Sequence, residues 1–200
     1  MKFLELNKKR HAYKTFNDKP VDLKDIRTAI EIATLAPSAH NMQPWKFVIV
    51  TDKKDQLATL GFRANGEQIR QAKVVIALFS DTDLPKRARK IARIGVHDLG
   101  DEQLAKFAQS YPKLFEQYDQ ATTSDYLAFN SGLVAMNLVM ALTDQGFASN
   151  MLLGFDKSAI NEVLDIDSRF RPELLITVGY SDDKPEPSYR LPVDEVIEQR

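Results

Sequence analysis

Apolar residues recur at three- and four-residue spacing through Leu23, Ile26, Ile30 and Ala33, which is one face of a helix. Asp22 precedes the run as an N-cap, and Asp25 adds negative charge to the first turn, where it favours the helix. Pro37 ends the helix by restricting Ala36 and breaking the ladder. Residues 46–51 (KFVIVT) are β-branched and aromatic, so they predict a strand. Asp52 is expected to cap a short helix towards Leu60. Residues 73–80 (KVVIALFS) are nearly all apolar and predict a central strand covered on both faces. Residues 121–145 form a long helix, apolar on most faces, ended by Gly146 at a C′ position. Asp156 is expected to cap a helix reaching about Leu164, and residues 173–180 (ELLITVGY) predict a third strand.

Between these elements, residues 81–120 are polar and charge-rich, with helical patches such as 101–111. The tail, residues 181–200, carries Pro185, Pro187 and Pro192, yet it also holds Tyr189, Leu191, Val193, Val196 and Ile197. Such a tail has no core of its own and is expected to dock on its own domain or on a partner subunit. The strands are too few and too irregularly spaced for a βαβ series, which leaves a small sheet wrapped by helices. At 200 residues the chain reads as a single domain with a full core and needs no staple.

Composition narrows the chemistry. There is no cysteine, which removes disulfides, Cys-based zinc sites, iron–sulfur clusters and a thiol nucleophile. A net charge of −1 gives no global field towards nucleic acid or an acidic membrane. The apolar stretch 127–142 is interrupted by Asn130, Ser131 and Asn137 and is read as too short and polar to span a bilayer. No apolar run of signal length follows the cluster Lys8-Lys9-Arg10-His11, so a cytoplasmic protein is expected. The dinucleotide, P-loop and nucleophile-elbow glycine motifs are missing, and His11, His40 and His97 lack metal-ligand spacing. No metal site is expected.

Three segments stand out. Arg10, His11 and Lys14 either form a solvated basic N-terminus or face one anion. The stretch Ala36-Pro37-Ser38-Ala39-His40-Asn41-Met42-Gln43-Pro44-Trp45 is either a turn anchored by Trp45 or a stiff loop offering Ser38, Asn41 and Gln43 to a ligand. In the tail, Arg190 makes either a surface ion pair or a second contact to the anion at Arg10. A fourth cluster, Lys86, Arg87, Arg89, Lys90 and Arg93, is a basic helix face. Its flanking acids (Asp81, Asp83, Asp98, Asp101 and Glu102) favour a solvated helix over a nucleic-acid surface.

Taken in order, Arg10-His11-x-x-Lys14-x-Phe16, the loop Pro37-Ser38-x-x-Asn41-x-Gln43-Pro44-Trp45, the turn Leu153-Gly154-Phe155 and the closing Arg190-Leu191-Pro192 resemble the FMN-dependent nitroreductase family. The resemblance covers nearly the whole chain except about 81–120, and the loop is its most specific element. It implies an α+β fold with a mostly antiparallel sheet wrapped by helices. It also implies a homodimer with exchanged C-terminal tails, in which 181–200 docks on the partner and 81–120 is a variable lid or substrate segment. FMN would lie between the subunits, with NADH or NADPH as hydride donor and a nitroaromatic, quinone or enone as small-molecule acceptor in ping-pong turnover. No membrane or nucleic acid is involved.

By the same resemblance Arg10 and Arg190 hold the flavin phosphate with His11 beside it, and Lys14 and Asn65 approach the pyrimidine edge. Ser38, Ala39, Asn41 and Gln43, entered by Pro37, line the ring and ribityl chain from the other subunit, and backbone N–H groups at Leu153 and Gly154 face N5 and O4. Some relatives carry a serine where Ala12 stands, a lysine at Gln68, a glutamate at Leu153 and a second cation at Ser188. These changes leave the phosphate and ring edge less positive. No side chain is assigned as an acid or base, because the flavin carries the chemistry. A flavin-binding or storage protein with little turnover, a reductive dehalogenase and a flavin destructase are the alternatives.

Overall fold

The computed structural model describes residues 2–94, 96–185 and 187–200. Its centre is a four-stranded antiparallel sheet in the order β1-β2-β4-β3, made of β1 (Trp45–Val50), β2 (Val74–Asp81), β3 (Ala148–Leu152) and β4 (Phe170–Gly179). All eight residues of β2 are buried, as expected of a strand covered on both faces. Its side chains alternate: Val74, Ile76 and Leu78 enter one core, and Val75, Ala77 and Phe79 enter the other. On β4, Val178, Ile176 and Leu174 stand opposite the first set.

The first face is covered by α2 (Leu23–Ala33) and α7 (Gln120–Asp144). Helix α2 places Ile26, Ala29 and Ala33 inward, and α7 places Val134, Ala135, Leu138 and Leu142 there. The Asp22 carboxylate caps α2 by accepting from the Lys24 N–H at 2.8 Å, as its sequence position implies. Gly146, with φ 88°, follows the C-cap Gln145 of α7 at the expected C′ position. Within α7, Asn137 donates to the carbonyls of Ile32 and Ala33 at 3.0 and 3.2 Å. These two bonds fix the end of α2 and the start of the loop that follows.

The second face is covered by α3 (Lys54–Ala58), α4 (Asn65–Gln71) and α8 (Ile160–Leu164), through Leu57, Ile69, Ile160 and Leu164. A third cluster gathers Met42, Leu127, Leu84 and Ala88 of α5 (Leu84–Ile94), and Phe107 and Phe115 of α6 (Val96–Phe115). The polar stretch 81–120 is thus two helices over an aromatic cluster. Helix α1 (Phe3–Lys9) precedes all of these.

Several expectations are corrected. The sheet has four strands: β3 reads ASNML, with no β-branched residue to signal it. Helices α1 and α4 were also unpredicted. Helix α3 is capped at Lys53, not Asp52, and α8 at Ala159. Asp156 instead accepts from the N–H and hydroxyl of Ser158 at 2.9 and 2.6 Å, closing a turn ahead of the helix. Helix α7 has 25 residues and is long and apolar enough to cross a membrane, contrary to the sequence reading. It lies on the sheet because its apolar residues meet those of β2 and β4.

One buried ion pair joins the strand ends. Asp81 is wholly buried and accepts from Arg169 Nε and Nη2 at 2.7 and 2.6 Å. Arg169→Ala is expected to lower stability by about 3 kcal/mol, the low end for orphaning a buried charge. Adding Asp81→Asn should recover part of that loss in urea unfolding.

Candidate functional site

The backbone after α1 is irregular and firmly held. Ala12 bridges Ser149 at the edge of β3, and the Tyr13 N–H donates to the Ser149 carbonyl at 3.2 Å. Gln68, buried on α4, donates from Nε2 to the Tyr13 carbonyl at 2.8 Å and accepts at Oε1 from Asn150 at 3.1 Å. Gln68 therefore ties the segment to the sheet. Arg10 and His11 stay half-buried and Lys14 exposed on this fixed backbone. His11 Nδ1 donates to the Lys9 carbonyl at 3.0 Å.

The tail returns to the same place. Asn17 bonds Tyr180 through its N–H at 2.8 Å and Asp182 through its side chain at 3.0 Å, and the Thr15 hydroxyl donates to Asp183. A cavity of about 460 Å³ is bordered by Ala12, Tyr13 and Lys14 on one side and by Asp183, Lys184, Pro185, Pro187 and Ser188 on the other. The two ends of the chain thus share one cavity. Arg190 lies two residues beyond Ser188 and donates to the Tyr189 carbonyl at 2.7 Å. Among the described residues, Arg10, Lys14 and Arg190 have no carboxylate in salt-bridge range.

A second group forms where α4 begins. Asn65 Nδ2 and the Phe62 N–H both donate to the Gly154 carbonyl, at 2.8 and 3.0 Å. A Cβ on residue 154 would lie 2.6 Å from Asn65 Nδ2, so glycine there permits the contact. Leu153 is 69% exposed. The N–H groups of Leu153 and Gly154 make no backbone bond among the described residues.

The loop after Pro37 carries the most strain. His40, Asn41 and Gln43 have φ of 55°, 50° and 44°, a left-handed backbone that costs each non-glycine residue on the order of 1 kcal/mol. Surrounding groups hold it. Ser38 Oγ accepts from the Gln43 N–H at 2.9 Å, and Gln43 Nε2 reaches Asn41 Oδ1 at 3.2 Å. Asn130 Oδ1 accepts from the Ala39 N–H at 2.8 Å, and the Tyr126 hydroxyl donates to the Ala39 carbonyl at 2.5 Å. Burial, then the neighbouring Tyr118 and Tyr111, push the Tyr126 phenol above its usual pKa, which keeps it a neutral donor. Arg87 donates to the carbonyls of Met42, at 3.3 Å, and Gln43. None of the residues lining the first cavity comes from this loop.

Residues 8–180 match the model of the nitroreductase family. This chain belongs to the nitroreductase family. It is 66% identical, over the full length of both chains, to a Streptococcus pyogenes protein provisionally named as an NAD(P)H nitroreductase. It superposes on the crystal structure of a nitroreductase family protein from Streptococcus pneumoniae TIGR4 with a TM-score of 0.98, at 67% identity and with both chains fully covered. At 26% identity, a protein from Exiguobacterium sibiricum 255-15 solved in complex with FMN aligns with a TM-score of 0.90, covering 100% of this chain and 98% of that one.

Within this nitroreductase fold, sequence reading missed the supports. Asn130 carried a signal, since an amide inside an apolar helix demands a partner. Arg87 and Gln68 carried none, because each acts across a long sequence separation. Asn130→Ala removes the acceptor for the Ala39 N–H, a loss of about 1–2 kcal/mol. Amide hydrogen exchange over residues 38–43 is expected to quicken by roughly tenfold, with the sheet amides unchanged.

Proposed function

We propose that this nitroreductase is an FMN-dependent NAD(P)H oxidoreductase that works as a homodimer on nitroaromatic, quinone or enone acceptors. The observation that carries the reading is the cavity shared by residues 12–14 and the tail, which Lys14 and Lys184 line beside Asp183, with Arg10 and Arg190 close to it along the chain and, among the described residues, in no salt bridge. A phosphorylated flavin needs those features, and they fit it. Arg10 and Arg190 hold the phosphate, since guanidinium forks suit its oxygens, with His11 beside them. Lys14 stands at the pyrimidine edge and stabilises negative charge there. Asn65 shares that edge while it steadies Gly154. The N–H groups of Leu153 and Gly154 are available as donors to the ring.

The rigid loop contributes Ser38, Ala39, Asn41 and Gln43 from the opposite protomer, already held in one conformation before binding. When bound, FMN supplies hydride transfer at its N5, which gives ping-pong turnover between NADH or NADPH and the second substrate. The protein's own part is to position both substrates, fix charge beside the ring and exclude water.

The surface supports a second copy. Tyr189, Leu191, Val193, Val196 and Ile197 are 60–79% exposed, so the tail beyond Ser188 has not docked on its own chain. Phe129 and Met136 on α7 and Phe3 and Leu4 on α1 are also exposed. Together they present apolar surface beyond what isolated exposed residues account for.

Protein purified without added flavin is expected to be yellow and to oxidise NADH or NADPH when a quinone, nitroarene or enone is supplied. Bound flavin with no turnover on any of the three favours a storage protein. The Arg10→Ala, Arg190→Ala double variant should lose FMN affinity at least tenfold by fluorescence titration; equal affinity removes the phosphate assignment. Deleting residues 187–200 is expected to convert a dimer to a monomer in light scattering while the far-ultraviolet circular dichroism holds. A truncated protein that stays dimeric would count against the exchanged tail.

A further inference from the structure

The basic side of α5 is used by nothing described so far. Lys86, Arg89, Lys90 and Arg93 recur at three- and four-residue spacing and share one face of the helix. With Arg87 and Arg169 they border a cavity of about 550 Å³, a size typical of small-ligand sites. Nothing in helix formation favours this array. Like charges one turn apart repel, and Lys86 and Arg87 sit in the first turn, where the helix dipole disfavours cations.

Neutralisation within the protein is partial. Asp81 is committed to Arg169 at 2.6 Å. Asp83 accepts from the Lys86 N–H at 3.0 Å, and Asp167 accepts from the Arg169 N–H at 2.8 Å. Glu116 lies 3.7 Å from Arg89. Among the described residues, Lys86 and Lys90 pair with no carboxylate. Arg87 is the inner wall: burial pushes its pKa below the ordinary arginine value, against the pull of Asp81, while its donors go to Met42 and Gln43.

We propose that this cavity binds a small oligophosphate, a compact group carrying two or more phosphates such as a nucleotide bears. Several lysine and arginine heads around one concavity match closely spaced phosphate charges. The face from Lys86 to Arg93 is only about 10 Å long. That length suits a compact polyanion better than an extended duplex, whose phosphates continue past both ends of the helix. The site also touches the flavin loop from behind. A phosphate that draws on Arg87 competes for the guanidinium that braces Met42 and Gln43, so occupancy is transmitted to residues 38–43.

Calorimetric titration of the purified protein with tripolyphosphate at low salt tests the site without reading turnover. Saturable binding is expected, weakening as ionic strength rises, and at least tenfold weaker in Lys86→Ala, Lys90→Ala. That variant should keep the parent melting temperature and flavin spectrum, which separates loss of the site from loss of fold. Hydrogen exchange over residues 38–43 is expected to change on saturation in the parent only. Stronger competition by NADP⁺ than by NAD⁺ identifies the extra phosphate of a dinucleotide as the source, equal competition by both identifies its diphosphate, and competition by neither identifies a free oligophosphate; each of these results supports the site. No saturable binding, or equal binding by parent and variant, overturns it. So does duplex DNA that binds more tightly with length while tripolyphosphate does not bind.

Discussion

Eight consecutive buried residues in β2 oblige the chain to cover both faces of one strand. Removing that apolar surface from water is a strong driving force, and the layers on either side follow from it. Helices α2 and α7 take one face, and α3, α4 and α8 take the other. Loops that join these covers emerge at the edges of the sheet. The segments proposed to meet the flavin are those edges: residues 10–14 beside β3, the turn at 153–155, and the loop between α2 and β1. The site is therefore a by-product of how the strand is wrapped, and its rigidity is borrowed from the core.

Polar groups carried into that core do the positioning. Asn130 and Tyr126 of α7 clamp Ala39 from both sides of its peptide, Gln68 of α4 clamps Tyr13, and Asn65 clamps Gly154. Each uses a buried or half-buried side chain to fix a backbone atom far away in sequence. A hydrogen bond of this kind adds little net stability. It does forbid alternatives, because a shifted loop would leave the buried partner unsatisfied. This explains why three left-handed residues persist in a loop without glycine.

The electrostatics divide into closed and open accounts. Arg169 and Asp81, and Arg171 and Glu173 at 2.8 Å, are closed pairs inside the fold. Lys14 at the first cavity, Arg10 and Arg190 a few residues from its lining along the chain, and Lys86 and Lys90 at the second, remain open among the described residues. Unbalanced cations beside a concavity repel one another until an anion arrives, and the two cavities differ in what surrounds them. The first joins the two ends of the chain. The second backs onto the strained loop through Arg87. Apolar side chains left in water along the tail support the proposed second copy, since the chain alone does not cover them.

Much was legible in the sequence. The period of Leu23, Ile26 and Ile30, the unbroken apolar run of β2 and the long apolar α7 declare themselves because burial imposes a local repeat. The family was legible too, since its motifs are short runs that lie in order along the chain, and residues 8–180 match the family model. What stayed hidden was decided between distant segments. Strand β3 has no β-branched residue and exists because β4 offers it a ladder of hydrogen bonds. Helix α4 is set by its packing on α3 within the second core, and Asp52 and Asp156 lost their capping roles to the geometry of the turns around them. The grip of Arg87 on Gln43, and of Gln68 on Tyr13, leaves no mark in either segment. Periodicity records which face of an element meets the core; it carries no information about which distant backbone atom a single polar side chain will find.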